Sequence, residues 1–308
     1  MRRIQITSLL LVAAAFPALA QQRKPKKAAV GPSVLKLYEA RTFEGMPYRL
    51  MKPIDLAENP TQKYPLILSL HGAGGKGAGN IQNLRRWNAE MARPTARRKH
   101  PCFVVAPQSA GPWRVPAKQS NASEIKVEDL STAWRKVIER RKSRGVAPTG
   151  VLDKVFKLLD ALPKEFNIDT DRVYVLGHSM GGFGSWTSLG EQPSRFAAAI
   201  PTAGGLSPRY DVKTFAHVPI WTFHGAGDST VPTDLTREAF ARLKKVGANV
   251  KYTELQGVKH GADAAAFVYH GDHPDKGWRT QFASEQCDKT SDVWDWLFAQ
   301  RRKPRSKP

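Results

Sequence analysis

The stretch Val173-Tyr-Val-Leu-Gly-His-Ser-Met-Gly-Gly-Phe-Gly184 decides how this chain is read. An apolar, β-branched run from Val173 to Leu176 predicts a strand, and Met180 to Leu189 predicts a helix. Between them lies Gly177-His-Ser-Met-Gly181, a G-x-S-x-G pattern in a strand–turn–helix setting. That setting puts Ser179 on a sharp turn with its Oγ pushed out of the sheet. The glycines have a steric reason, since a Cβ at position 177 or 181 would collide with neighbouring backbone. The following helix aims its N-terminal N–H groups and dipole at the same spot, which favours negative charge developing there. The bland alternative is a glycine-rich turn with an incidental serine. What the rest of the chain brings to the turn decides between the two.

Working outward, buried strands are expected at Pro65–Leu70, Cys102–Ala106, Arg172–Leu176, Phe196–Ile200, Pro219–Phe223 and Asn249–Leu255. Helices are expected at Ile81–Arg93, Val151–Phe166, Met180–Leu189, Thr233–Val246 and Ser291–Arg301. Val34–Phe43 and Tyr48–Lys52, with Gly45 between them, read as an opening β-hairpin. Buried strands alternating with helices imply an α/β fold, a mostly parallel doubly wound sheet with helices on both faces. Ligands then bind beyond the carboxyl ends of the strands, where the loops 71–77, 177–182, 224–230 and 256–261 fall. Residues 111–150 exceed what a simple connection needs and form an insertion. Its Leu130, Trp134, Val137 and Ile138 make an apolar stripe on a basic helix. The insertion is either part of a cap at the active-site rim or a helix packed elsewhere on the surface.

A serine hydroxyl needs a general base, and the base needs an orienting acid. Along a chain of this class the order is Ser, then Asp or Glu, then His. Asp228 follows the strand 219–223 in His-Gly-Ala-Gly-Asp, and His260 follows the strand 249–255 in Gly-Val-Lys-His-Gly. Both stand at carboxyl ends, whereas His217 precedes a strand and His224 is tied into the turn that presents Asp228. His270 and His273 compete with His260 but lie well past the last strand. Two backbone N–H groups are needed for an oxyanion. Met180, after the serine, supplies one, and Ala73 in the turn after the strand 65–70 supplies the other, with Gly74 close behind. His71 and His178 are read as structural braces. Trp113 and Trp278, in polar loops, are the candidate substrate-binding aromatics, while Trp186 and Trp221 suit the core.

The segments Leu70-His-Gly-Ala-Gly-Gly75, Val104-Val-Ala-Pro-Gln108, Gly177-His-Ser-Met-Gly-Gly182, His224-Gly-Ala-Gly-Asp228 with Val231-Pro232, and Lys259-His260 resemble secreted α/β-hydrolase esterases. The group comprises feruloyl esterases, acetyl xylan esterases and polyhydroxybutyrate-depolymerase-like enzymes. The resemblance covers roughly residues 35–300 and is specific for fold and triad but weak for substrate. It implies an α/β-hydrolase fold and a carboxylester hydrolase with Ser179, Asp228 and His260 as triad and no cofactor. A plant-wall feruloyl or acetyl ester, another aryl ester or a polyester is the implied substrate. The insertion 111–150 and the long segment 261–290 depart from the pattern and flank the expected cleft. The rivals are a prolyl-oligopeptidase-type peptidase, for whose propeller the chain has no room, and a non-catalytic secreted binding protein on a hydrolase scaffold.

Met1-Arg-Arg3, the apolar run Ile6–Phe16 and Ala18-Leu-Ala20 read as a signal peptide over 1–20, giving a secreted or periplasmic protein. No other stretch is long and apolar enough to span a bilayer. A basic linker (21–32), one catalytic domain (33–301) and a basic tail (302–308) follow. The net charge of +21 concentrates at the edges of this layout. Solvated tails are the simpler account of it, and adhesion to acidic polysaccharide is the functional one. Nucleic acid is not expected for an exported chain without aromatic-interleaved basic motifs. Cys102 and Cys287 either form one disulfide or remain two separate buried thiols. No His/Cys spacing suggests a metal.

Overall fold

Leu66, Leu68 and Leu70 pack on one side of their strand and Ile67 on the other. Phe103 and Val105 against Val104 and Ala106, and Val173 and Val175 against Tyr174 and Leu176, repeat the alternation on the neighbouring strands. Successive side chains of a strand point to opposite faces, so a run that is apolar throughout must be covered on both. That pattern organises the computed structural model, which describes residues 30–142 and 151–302. The expected signal peptide, residues 21–29 of the 21–32 linker, residues 143–150 of the insertion and all but the first residue of the 302–308 tail lie outside the described residues, whereas Val30 packs into the core and Pro32 opens a helix.

Nine strands form one sheet among the described residues: β1 (Glu39–Phe43), β2 (Met46–Met51), β3 (Tyr64–Leu70), β4 (Phe103–Pro107), β5 (Ile168–His178), β6 (Ala198–Thr202), β7 (Ile220–Gly225), β8 (Val250–Leu255) and β9 (Arg279–Phe282). Their order is β1-β2-β4-β3-β5-β6-β7-β8-β9. Pairing is parallel from β4 across to β8 and antiparallel at both edges. The chain leaves β3 for β4 on one side and returns to β5 on the other. Connections therefore diverge at β3/β5, the switch point where α/β sheets bind ligands. Register aligns the strand ends there: Leu70 pairs with Gly177, and His178 with Thr202.

The helices are α1 (Pro32–Leu37), α2 (Arg86–Met91), α3 (Pro94–Lys99), α4 (Thr132–Lys142), α5 (Leu152–Glu165), α6 (Met180–Glu191), α7 (Asp234–Lys245), α8 (Asp263–Ala266) and α9 (Val293–Ala299). α5, α6 and α7 cover one face through residues such as Val155, Leu159, Trp186 and Leu243. α2, α8 and α9 cover the other through Trp87, Ala266, Trp296 and Leu297. α5 owes its place to buried Leu152, Val155, Phe156, Leu159 and Leu162 at helical spacing.

The ends of the chain correct several expectations. Val34–Leu37 is helical rather than strand, because Pro32 in the first turn has its φ preset for a helix. The hairpin that follows turns through Glu44 and Gly45, both at positive φ (45° and 76°), as a two-residue loop requires. The 81–93 helix is shorter, Arg86–Met91, and α3 follows it. Residues 279–282 of the departing segment add β9 as an antiparallel edge. The thiols of Cys102 and Cys287 are buried and unpaired. Cys102 precedes β4, and Cys287 Sγ lies 3.3 Å from the Val250 carbonyl of β8. The two strands stand five positions apart in the sheet, on the order of 20 Å, which excludes a bond between the two cysteines.

Candidate active site

Ser179 sits between β5 and α6 at φ 58°, ψ −116°, a conformation that costs a non-glycine residue about 1–3 kcal/mol. Packing holds it there. A Cβ on Gly177 would approach the Gly181 backbone to 2.6 Å, and one on Gly181 would approach the Leu70 carbonyl to 1.9 Å. A Cβ on Gly182 would meet the Thr202 carbonyl at 2.3 Å. Only glycine at these positions lets α6 start directly on β3 and β6. The Ser179 N–H donates to the Thr202 carbonyl (2.9 Å), and the Phe183 N–H donates to the Ser179 carbonyl (2.9 Å).

The other two candidates come to this turn from neighbouring strand ends. His260 Nε2 is 2.9 Å from Ser179 Oγ, and its Nδ1 is 2.7 Å from Asp228 Oδ2. Asp228 is buried. Its Oδ1 accepts from the backbone N–H groups of Thr230 (2.8 Å) and Val231 (2.9 Å). Burial alone would raise its pKa. Hydrogen bonds from His224, His260 and the Val231 N–H outweigh burial and hold the carboxyl well below the usual range. The acid is thus a fixed carboxylate aimed at the far nitrogen of the histidine. His270 instead bonds Asp292 at the surface, and His273 packs against Trp278, so neither joins this chain.

The loop after β3 lies against the serine. A Cβ on Gly72 would stand 3.2 Å from the His178 carbonyl and 3.6 Å from Ser179 Cβ, and Ala73 opens the 3₁₀ turn Ala73–Gly75. Met180 is the first residue of α6, so its N–H has no intrahelical acceptor. His71 braces the loop: its Nδ1–H donates to the Gly72 carbonyl (2.8 Å), while Nε2 accepts from the Ser109 N–H (3.0 Å). Burial lowers its pKa to about 4, so the ring is neutral. His178 is likewise lowered to about 4 by burial. Its Nδ1 is 3.2 Å from Thr202 Oγ1, its Nε2 is 3.7 Å from Asp263, and its ring lies 4.9 Å from that of His260.

The two aromatic expectations fare differently. Trp113 is only 2% exposed, its Nε1–H donates to the His71 carbonyl (2.9 Å), and its ring fills the space beside Gly184. It is a wall between the β3 loop and α6, and it also lines the cavity beside Met180. Trp278 is half-buried at the β9 edge and donates to the Gln256 carbonyl (3.0 Å), bracing the turn that leads to His260. The insertion packs on the candidate site's own elements. Leu130, Ala133 and Trp134 cluster with Val231 and Leu235, Trp134 meets Phe183 edge-on at 5.9 Å, and Arg140 donates to the Thr230 carbonyl (2.6 Å). Phe183 and Asp263 escaped the sequence reading. Phe183 carried a signal, one helical turn after Met180, but Asp263 had none in its neighbourhood.

Comparison with known proteins bears on the fold that carries these residues. The prolyl oligopeptidase family matches residues 128–217, a segment that includes Ser179 and stops before Asp228 and His260. An uncharacterized secreted protein of Arthroderma benhamiae is 25% identical over 245 residues, 69% of this chain and 23% of that protein. A bifunctional acetylxylan esterase/xylanase of Neocallimastix patriciarum is 36% identical over 81 residues, 25% of this chain and 11% of that protein. Among solved structures, a thermostable esterase is 30% identical and superposes with a TM-score of 0.62, over 87% of this chain and 64% of that one. The chain spans less than two thirds of the length of each of these three. The fold is that of the α/β-hydrolases. No helix among the described residues is long and apolar enough to cross a membrane.

Proposed function

We propose that this protein is a serine carboxylester hydrolase of the secreted or periplasmic space, with Ser179 as nucleophile, His260 as general base and acid, and Asp228 as the orienting carboxylate. One observation carries the reading: the unbroken line from Ser179 Oγ to His260 to buried Asp228, at 2.9 and 2.7 Å. In this reading His260 takes the hydroxyl proton as Oγ attacks the ester carbonyl, and the Met180 and Ala73 N–H groups hold the resulting oxyanion. The ester C–O bond breaks, the alcohol leaves with the proton from His260, and an acyl-Ser179 remains. Water, deprotonated by His260, then releases the acid and restores the serine. Asp228 keeps the imidazole in one tautomer and stabilises its cation.

Likeness to the esterase structure and to the bifunctional acetylxylan esterase/xylanase supports an ester, including acylated plant-wall sugars, as substrate. The relative named as secreted supports export. The match to the prolyl oligopeptidase family favours one second reading, hydrolysis of a peptide bond by the same groups. The test is to incubate the chain from Gln21 with a fluorophosphonate probe, p-nitrophenyl acetate, butyrate and octanoate, and a chromogenic peptide anilide, beside Ser179→Ala. Labelling and ester turnover lost in the variant are expected. A folded parent that neither labels nor turns over any ester overturns the esterase reading, and turnover of the anilide alone makes it a peptidase.

A further inference from the structure

A cavity of about 730 Å³ opens beside Met180 and is roofed by the insertion. Its floor is the outward row of α6, Met180, Phe183 and Thr187, spaced so that all three share one helix face. From Met180 to Thr187 the floor runs about 10 Å along the helix axis. The roof facing it is mainly apolar, through Val115, Ile125, Leu130, Trp134 and Ile138, with Arg114 and Glu124 as charged members. The far end is closed by polar groups that already serve one another. Buried Glu191 accepts from Ser120 Oγ (2.5 Å), the Asn121 N–H (2.7 Å) and Tyr210 Oη (2.6 Å), which ties the insertion to α6. The opposite end of the roof is pinned by Ser131 on Glu238 (3.0 Å) and Arg140 on the Thr230 carbonyl. Stapled at both ends, the insertion leaves a preformed channel of the size small-molecule sites have, apolar along its α6 floor and lined by Arg114, Glu124 and Arg209 elsewhere.

We infer that this channel is the acyl-binding pocket, and that the preferred substrates carry a medium-chain aliphatic acyl group rather than acetyl. The inference rests on the esterase reading above. Sidedness follows from the chemistry. The channel's inner end is Met180, whose N–H would hold the carbonyl oxygen. Ser179, His178 and His260 all lie outside the channel lining, so the channel begins at Met180, and His260, which must protonate the departing alcohol, stands apart from it. The alcohol therefore leaves on the histidine side, and the acyl chain extends along α6. Each methylene buried against this wall raises kcat/KM about threefold to fourfold until the chain reaches Glu191.

The test is the acyl-length series of p-nitrophenyl esters from acetate to decanoate, read as kcat/KM ratios, in the parent, Thr187→Phe and Thr187→Leu. Thr187 stands on the floor away from the reacting atoms, so Phe there shortens the channel. The parent is expected to favour octanoate over acetate at least tenfold. Thr187→Phe should lower that ratio about tenfold or more, and Thr187→Leu by a smaller factor. An active parent that prefers acetate, or a ratio that neither variant moves, overturns the pocket while leaving the esterase reading intact. A parent that hydrolyses no ester and takes no probe overturns the esterase reading itself. If Thr187→Phe fails to fold, Thr187→Leu decides.

Discussion

His224 and Asp228 are bonded to each other inside the turn that carries the acid: Nε2 stands 3.2 Å from Oδ2, with both side chains fully buried. The same nitrogen is 3.1 Å from the Val231 carbonyl, so it faces two acceptors and carries a proton. Nδ1 reaches Thr236 Oγ1 at 2.7 Å. Asp228 Oδ2 thus serves His224 and His260 at once. Replacing His224 by Leu leaves Oδ2 short of a donor and the Val231 carbonyl unpaired, at a cost of about 1–3 kcal/mol per buried group. The Leu variant should unfold at lower urea and lose roughly tenfold in kcat/KM for the ester, since the acid aims less firmly. His224→Gln, which restores a donor near the Nε2 position, should regain most of both. A Leu variant equal to the parent in both measurements would show that Asp228 needs no second donor.

The three groups of the proposed triad should fail as a unit. Ser179→Ala and His260→Ala each remove a bond-making step and are expected to cost on the order of 10⁴-fold or more in kcat. Asp228→Asn keeps the shape but presents an amide to His260 Nδ1, favouring the wrong tautomer, with a loss of similar order. The double variant Ser179→Ala/His260→Ala should be little worse than either single change. Losses that multiply instead would mean the two side chains act independently, contrary to the 2.9 Å contact between them.

Much of this was legible in the sequence because the signals were local. The apolar strand into Gly177-His-Ser-Met-Gly181 marked the turn, and the clashes at Gly177 and Gly181 are the ones its glycines implied. The sheet's parallel centre followed from strands buried on both faces. What local pattern could not supply was depth. Trp113 lies at the start of the insertion in a stretch rich in Gly and Pro, yet the chain buries its ring against His71. The α1 helix was hidden because Val34, Leu35 and Leu37 suit a strand as well as a helix, and Pro32 decided it. Asp263 meets His178 across 85 residues of sequence, a pairing no spacing rule anticipates.

The glycine constraint gives a clean stability test. Gly181→Ala would place a Cβ 1.9 Å from the Leu70 carbonyl oxygen, and backbone cannot retreat without parting α6 from β3. Gly79→Ala meets nothing within 4 Å. The first change should lower the thermal midpoint severely or prevent soluble expression, and the second should change stability by no more than about 0.5–1 kcal/mol in either direction, leaving the midpoint near the parent's. Equal midpoints for the two would mean that α6 does not start on β3 as described.

Stability should decline on mild acidification before any ordinary carboxylate titrates. Burial holds His71 and His178 at about 4, well below the ordinary histidine value of 6.5. Between these values the unfolded chain binds protons that the folded chain refuses, so stability is full above about pH 6.5 and is lost as pH falls toward 4. A shift of this size is worth at most about 3 kcal/mol per histidine. Asp228, held below the usual carboxylate range, adds a loss in the same direction at lower pH still. Urea midpoints at pH 7.5, 6.5, 5.5 and 4.5 should therefore stay level over the first step and fall over the next two. His178→Asn keeps a donor near Nδ1 for Thr202 Oγ1 but cannot charge, so its decline should be shallower than the parent's. A parent midpoint that holds constant from pH 6.5 to 4.5 would mean that the braces under the β3 and β5 loops accept protons while folded, and that those loops are less tightly packed than His71 and His178 require.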